Sequence, residues 1–427
     1  MLASGSRLGG FGRGVRRAIR GAIRLGSVRG MRQTKDPVSS RRAAGRNGHG
    51  VVAKRILVVA QLDGYANSVR AAALERVLRD CGHEVHLVDT FHLSRGSAVP
   101  GSSSNRLPGP SIRQCLLYAV EAASVPNRRW AWGRRHLSYF ALVADRGLRR
   151  SILKSSLALN DFDLIICETP HDAGVLAVDS SAETLYDCPT PWVDELYFER
   201  RLTERQHRLL GRRESAIYEG VDHLAFHWET YAKYAIEHCG ISGRNLLTLN
   251  FGCTPSGRRA AFANPPSVVY MGSLSSGFID LPLLSRLSRL YPHIDVYGGP
   301  PPDPWLGLNY RGHAPPAVLE QYQLGLVTCT KDELRREGFS AKHVEYLAHG
   351  LPVLVPAWRR HLGLLEGSVA YDEQTFLAAI DALRAEPEWR RMSDLAYAQA
   401  RRLAWEETLR PLSSLLAEPR IEAGDPK

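Results

Sequence analysis

The sequence predicts an α/β protein made of two Rossmann-like domains that face each other across a cleft, with a C-terminal helix crossing back to the first domain. Three observations carry this. At 427 residues and 44% hydrophobic, the chain is too long for one ordinary core and holds apolar material for two. Near its start, strand, glycine turn, helix, glycine and strand follow one another, which is a βαβ unit and implies a parallel sheet. The same alternation restarts after a break rich in Pro, Gly, Arg and Ala between Thr254 and Pro266.

Taken in order, residues 1–50 are rich in Arg, Gly and Ser and too poor in large apolar residues to offset the entropy of ordering. They are expected to form a disordered basic leader. A helix over Val15–Ile23 would be basic and weakly amphipathic, so anchoring to anionic lipid and organellar transit both fit, as does a dispensable leader, or a true start at Met31. It lacks the apolar stretch of a secretory signal. Residues 51–253 are expected to form the first domain. Arg55–Ala60 reads as a strand buried on both faces, Ser68–Arg79 as a helix stopped by Cys81-Gly82, and Glu84–Val88 as the second strand. Asp163–Cys167, Thr184–Tyr186 and His223–His227 read as later strands, and Tyr231–His238 as a short helix before Leu246–Phe251. The polar stretch 93–110 is a long loop inside this domain.

Residues 254–400 are expected to form the second domain, with strands at Ser267–Met271, Ile294–Tyr297 and Leu324–Thr328 and a helix at Leu281–Leu290. Residues 401–427 complete it as a helix and tail, and the pattern from Glu388 to Leu416 is helical, with Trp405 among Leu403, Leu409 and Leu412.

The net charge of +11 suggests an anionic partner until its distribution is considered. Residues 1–55 carry fourteen Lys or Arg against Asp36 alone, so the remaining chain is slightly acidic. Within it, residues 101–160 hold ten basic side chains against Glu121 and Asp145. That sector contains Arg128, Arg129, Arg134 and Arg135 interleaved with Trp130, Trp132, Tyr139 and Phe140. Such a surface suits lipid headgroups. It also suits single-stranded nucleic acid, or an ordinary amphipathic helix pair. No run of eighteen uncharged apolar residues occurs, so no helix spans a bilayer. Seven cysteines without a C-x-x-C pair point to a reducing compartment and no zinc site.

The densest chemistry lies between Glu337 and Pro352. Ser340 can cap a helix whose first N–H groups and positive dipole end would meet a phosphate. Lys342 sits in the first turn, where a cation is a poor choice for the helix alone and a good one for an anionic ligand. Glu345 lies one turn further, able to accept from sugar or ribose hydroxyls, and Gly350-Leu-Pro ends the helix.

Here the chain resembles the GT-B glycosyltransferases, in particular the family-four-like retaining group. Glu337 and Glu345 stand in that group's E-x7-E arrangement, and Glu-Tyr-Leu-Ala-His-Gly-Leu-Pro-Val follows its typical stretch. The resemblance implies ribose binding by Glu345, contact with the transferred sugar by Glu337, and pyrophosphate binding by Ser340 and Lys342. It also implies a nucleotide-sugar donor carrying UDP or GDP and an acceptor hydroxyl. Gly272-Ser273 resembles the glycine turn after the first strand of the nucleotide domain. The Arg and Lys that follow that turn in many relatives are replaced here by Ser275-Ser276-Gly277. Gly312 and His313 resemble the loop that meets the base, and His171 the sugar-proximal histidine of the first domain. Gly64 serves a tight turn with room for a substrate contact.

Asp187 and Asp194 follow the strand at Thr184–Tyr186, and either would serve as general base if the transfer inverts. Capping of the next helix is their competing role. No cofactor or metal is expected, because the helix dipole and Lys342 can carry the phosphate charge. With a donor site adjacent, the basic aromatic sector favours a lipid-linked acceptor at an anionic membrane surface over nucleic acid. The expected location is cytoplasmic, or peripheral on the inner membrane face. A nucleotide-sugar epimerase and a silent binding protein on the same fold are the alternatives.

Overall fold

The computed structural model describes residues 53–60, 65–89, 159–170, 173, 181–241, 245–274, 277–338, 340–359 and 365–417. The basic leader, the 93–110 loop and the basic sector up to 158 lie outside the described residues.

The first domain holds strands β1 (Arg55–Ala60), β2 (Glu84–Asp89), β3 (Leu164–Cys167), β4 (Glu183–Cys188), β5 (His223–Phe226) and β6 (Leu246–Thr248). They form one sheet in the order β2-β1-β3-β4-β5-β6, and every pairing is parallel. Ile56 to Ala60 are fully buried, as a strand covered on both faces requires. Helix α1 (Tyr65–Asp80) links β1 to β2. Helices α2 (Trp192–Phe198) and α3 (Glu204–Gly220) join β4 to β5, and α4 (Glu229–His238) follows β5. Helix α3 is not evident in the sequence, because its apolar stripe of Leu210, Ile217 and Tyr218 is thin among charged residues. A capping box between Thr203 and Gln206 fixes its start instead.

The second domain repeats the architecture with β7 (Val268–Met271), β8 (Ile294–Tyr297), β9 (Asn309–Tyr310), β10 (Leu324–Leu326), β11 (Val353–Pro356) and β12 (Ser368–Tyr371). Its order is β12-β11-β10-β7-β8-β9, again with all pairings parallel. Chain order therefore reverses between β7 and β10, the topological switch point of a doubly wound sheet. Helix α5 (Leu281–Leu290) crosses from β7 to β8 and starts at Asp280, whose Oδ1 accepts from Leu283 N at 2.8 Å. Helices α6 (Glu333–Glu337) and α7 (Ala341–Ala348) connect β10 to β11, and α8 (Phe376–Asp381) follows β12.

The C-terminal segment is three helices rather than one: α9 (Glu386–Arg402), α10 (Trp405–Thr408) and α11 (Arg410–Ala417). The break at Leu403–Ala404 is where this segment meets the first domain. Cys253 N donates to Leu403 O at 2.9 Å and Trp405 N donates to Cys253 O at 3.2 Å. Trp405 then packs edge-on to Phe251, ring centroids 5.2 Å apart, and Arg76 pairs with Glu406 at 2.8 Å. Gly252 leaves the space the indole needs, since a Cβ there would lie 2.6 Å from it. The C-terminal helices thus cross back to the first domain as expected. Among the described residues no helix is long and apolar enough to cross a membrane.

Candidate active site

In a parallel sheet all strands end at one edge, and in the α7–β11 crossover the helix N-terminus returns to that edge. Two contacts of Tyr346 hold α7 low over β7 and β10. Its hydroxyl accepts from Met271 N at 2.7 Å, and its ring occupies the space over Gly325, 2.4 Å from where a Cβ would be. The start of α7 therefore overlies the end of β7. Ser340 takes the N-cap position, but its side chain makes no capping bond, and the amides of Ala341 and Lys342 have no acceptor among the described residues.

Lys342 crosses Gly272, where a Cβ would come within 1.9 Å of Lys342 Cε. Its ammonium lies 5.6 Å from the centre of the Tyr270 ring and pairs with no carboxylate among the described residues. Burial lowers its pKa, and only Cys329 opposes the shift. Two guanidinium groups join it. Arg335 Nη2 stands 3.5 Å from Glu195 Oε1, with its Cζ 4.1 Å over the Phe278 ring. Arg359 is buried and has no ion pair among the described residues. All three cations line one cleft of about 540 Å³, together with Thr328 and Ser340 from the second domain and Glu168, Glu195 and His227 from the first.

The first-domain wall is built at the ends of three adjacent strands. The registers Cys167↔Tyr186 and Cys188↔Phe226 bring Glu168, Asp187 and His227 together at the ends of β3, β4 and β5. Arg70, from α1, donates through Nε and Nη2 to the two Asp187 oxygens at 2.5 and 2.7 Å, and through Nη2 and Nη1 to Leu249 O at 3.0 Å and Asn250 O at 3.2 Å. Burial alone would raise the Asp187 pKa, but Arg70 and then His227 hold it well below the carboxylate range. His227 Nε2 lies 3.4 Å from Asp187 Oδ1, and burial, then Arg70, pushes its pKa down to about 4, leaving it neutral. Glu168 has both carboxyl oxygens buried with no hydrogen-bond partner among the described residues. Burial and then the charge of Asp187 push its pKa well above the usual value, against Arg70. Glu195 is pushed up to about 7, chiefly by burial, with Arg335 opposing.

Of the residues singled out in the sequence, Ser340 and Lys342 line the cleft and Gly272 lies directly under Lys342. Glu345 is 24% exposed on α7, its Oε1 3.6 Å from His349 Nε2, and does not line this cavity. Ser273 is exposed at the end of β7. Gly312 O accepts from Gly298 N at 2.9 Å, and His313 is exposed beside it, both after β9 on the same edge but away from the cleft lining. Glu337 opens instead on a neighbouring cavity of about 780 Å³ with Thr230 and Lys233, and its carbonyl accepts from Thr230 Oγ1. The E-x7-E pair is therefore not brought into one cavity. Asp187 and Asp194, expected to reach the cleft, do not line it. Asp187 is bound by Arg70, and Asp194 accepts from the Tyr234 hydroxyl at 2.9 Å and contacts His207 Nε2. Gly64 and His171 lie outside the described residues.

Glu168, His227, Arg335 and Arg359 are cleft residues not expected from the sequence. Glu168 and His227 each stand immediately after a strand, a position that marks ligand sites in such sheets, so this signal was present. Arg335 and Arg359 follow no motif, yet both line the cleft with Lys342. The Asp-x-Asp spacing at Asp161 and Asp163 precedes β3, at the opposite edge, where Asp163 Oδ2 accepts from Arg55 N at 2.7 Å. Among the described residues no three His, Cys, Asp or Glu side chains converge as a metal site.

Two six-stranded parallel sheets with opposed carboxyl edges decide the architecture. The fold is that of the GT-B glycosyltransferases. A sucrose-phosphate synthase from Thermosynechococcus elongatus superposes with a TM-score of 0.59 at 13% identity, over 85% of this chain and 98% of that one. TarM superposes with a TM-score of 0.59 at 8% identity, over 86% and 99%. A glycosyltransferase from Rickettsia africae gives 0.50 at 10% identity, over 85% and 98%. No family model matches the sequence, and no curated protein matches it by sequence. In this structure the cations of the cleft come from the second domain, and its carboxylates from the first.

Proposed function

We propose that the protein is a glycosyltransferase that moves a hexose-type sugar from a nucleoside diphosphate sugar to an acceptor hydroxyl. The observation that carries this is the polarity of the cleft. Its second-domain wall presents Lys342 and Arg359 without carboxylate partners among the described residues, beside the open amides of α7. Its first-domain wall presents Glu168, Glu195 and His227. Buried cations without counter-charge are costly unless a ligand completes them, and a diphosphate does so at a helix N-terminus without a metal. Glu345, one turn beyond Lys342, is the ribose contact in this scheme, with the base extending toward Gly312 and His313. The nucleotide is UDP or GDP.

Retention of configuration accords with the state of Asp187 and Asp194. Both are held by neighbouring side chains, so neither is free to take the acceptor's proton. The acceptor is proposed to be lipid-linked, from the arginine and tryptophan content of residues 127–140. An epimerase would use the same donor wall with no acceptor.

Thermal unfolding with UDP and with GDP, with and without a chelator, tests the donor assignment. One of them should raise Tm by mass action in the wild type, undiminished by the chelator, and much less in Lys342→Ala. No shift with any nucleoside diphosphate would overturn the proposal.

A further inference from the structure

Glu168 stands apart from the other buried carboxylates at and beside the cleft. Glu195 faces Arg335, and Asp187 is clamped by Arg70, but Glu168 is 6% exposed and neither of its oxygens meets a hydrogen-bond partner among the described residues. Its position is fixed by the sheet. Glu168 N donates to Val59 O at 3.1 Å, so the residue extends the β1–β3 ladder by one step past Cys167, at the switch point of the first sheet. The charges around it are Asp187 and Arg70, and neither is its hydrogen-bonding partner. Arg70 is committed to Asp187 and to two backbone carbonyls. His227 is neutral.

A buried carboxyl without a partner is a net cost to the folded protein, because its desolvation is not repaid by any bond. Replacing it by an apolar side chain of similar size should therefore stabilise the fold. Such a cost persists where a ligand supplies the missing bond. The cavity that Glu168 lines also holds Lys342 and Arg359, so a diphosphate bound by those cations places its sugar toward the first-domain wall. A sugar offers hydroxyls that both donate and accept, and a carboxyl whose protonated form is favoured by burial can do the same.

We propose that Glu168 is the first-domain contact to the donor sugar, binding one of its hydroxyls across the cleft from Lys342. This rests on the donor assignment proposed above and extends it to the residue immediately after β3. Glu168 binds only the sugar part of the donor. It therefore discriminates a nucleoside diphosphate hexose from the bare nucleoside diphosphate, while Lys342 acts on both.

The test titrates wild type, Glu168→Leu, Glu168→Gln and Lys342→Ala with UDP, GDP, UDP-glucose and GDP-mannose, and records Tm of each unliganded protein. Glu168→Leu should keep nucleoside diphosphate affinity within about twofold and lose about tenfold in affinity for the sugar nucleotide, the scale of one lost neutral hydrogen bond. Its Tm should be equal to or above that of the wild type. Glu168→Gln, which keeps a donor and an acceptor, should recover most of the sugar affinity. Equal losses for nucleotide and sugar nucleotide, or a lowered Tm in Glu168→Leu with unchanged sugar discrimination, would make Glu168 a structural residue and overturn the proposal. If the wild type binds none of the four probes, the donor assignment fails, and this proposal with it. If the wild type binds them and the sugar adds nothing to be lost, only this proposal fails.

Discussion

The Lys342 side chain runs over Gly272 so closely that a methyl group on the glycine would stand 1.9 Å from Cε and 2.9 Å from Nζ. The turn after β7 and the first turn of α7 are thus one construction, held by the Tyr346 hydroxyl on Met271 N.

Two substitutions should reach the same phosphate site from opposite sides. Lys342→Ala removes the cation and is expected to weaken nucleoside diphosphate binding by roughly 1.5–3 kcal/mol, the scale of a charged hydrogen bond. Gly272→Ala keeps the cation but displaces it, and should weaken binding in the same direction. Isothermal titration of both variants checks this. Wild-type affinity in Lys342→Ala would take the lysine out of the site.

The Arg70–Asp187 pair is 1% and 0% exposed, and it ties α1 to β4 and to the segment after β6. Removing one partner leaves a buried charge without its counter-charge. Arg70→Ala or Asp187→Ala is therefore expected to destabilise by about 3–5 kcal/mol. Urea unfolding measures this, and a change below about 1 kcal/mol would show that the pair is replaceable by water.

Stability should fall as the pH rises from 6.5 to 8. Glu195 and Glu214 are pushed up to about 7 and about 8, mainly by burial, from a usual 4.5. The folded protein therefore binds more protons than the unfolded chain between 4.5 and those values, and loses stability as pH climbs through that window. Glu168, also raised, acts in the same direction. His227 and His343, lowered to about 4 and about 3, act oppositely, but their effect is complete once an unfolded histidine is neutral above 6.5. Tm measured across this range should decline in the wild type and decline less in Glu195→Gln and Glu214→Gln. A flat wild-type profile would contradict the assignment.

Membrane association is the prediction that rests on sequence alone. Each Lys or Arg near an anionic surface contributes about 1 kcal/mol, so four engaged arginines would give reversible binding. A chain beginning at Gly50 should co-sediment with vesicles containing anionic phospholipid, and less so when Arg128, Arg129, Arg134 and Arg135 are changed to Ser. Equal sedimentation by the two, or none by either, would refute it and point to a soluble acceptor.

The architecture was legible in the sequence, because several strands are buried on both faces and so appear as unbroken apolar runs, as at Ile56–Ala60 and Leu164–Cys167. The sequence also determined the Ser340–Lys342 element, since a helix start and a misplaced cation are local features. Helix α3 and the two-residue strand β9 were harder to read, one for its thin apolar stripe and the other for its length. Partnership was decided only by tertiary structure. Nothing local shows that Asp187 is taken by Arg70, 117 residues away, that Glu337 and Lys342 open on different cavities, or that Arg335 and Arg359 join Lys342. A side chain's charge and availability depend on what burial brings against it, and those neighbours come from distant parts of the chain.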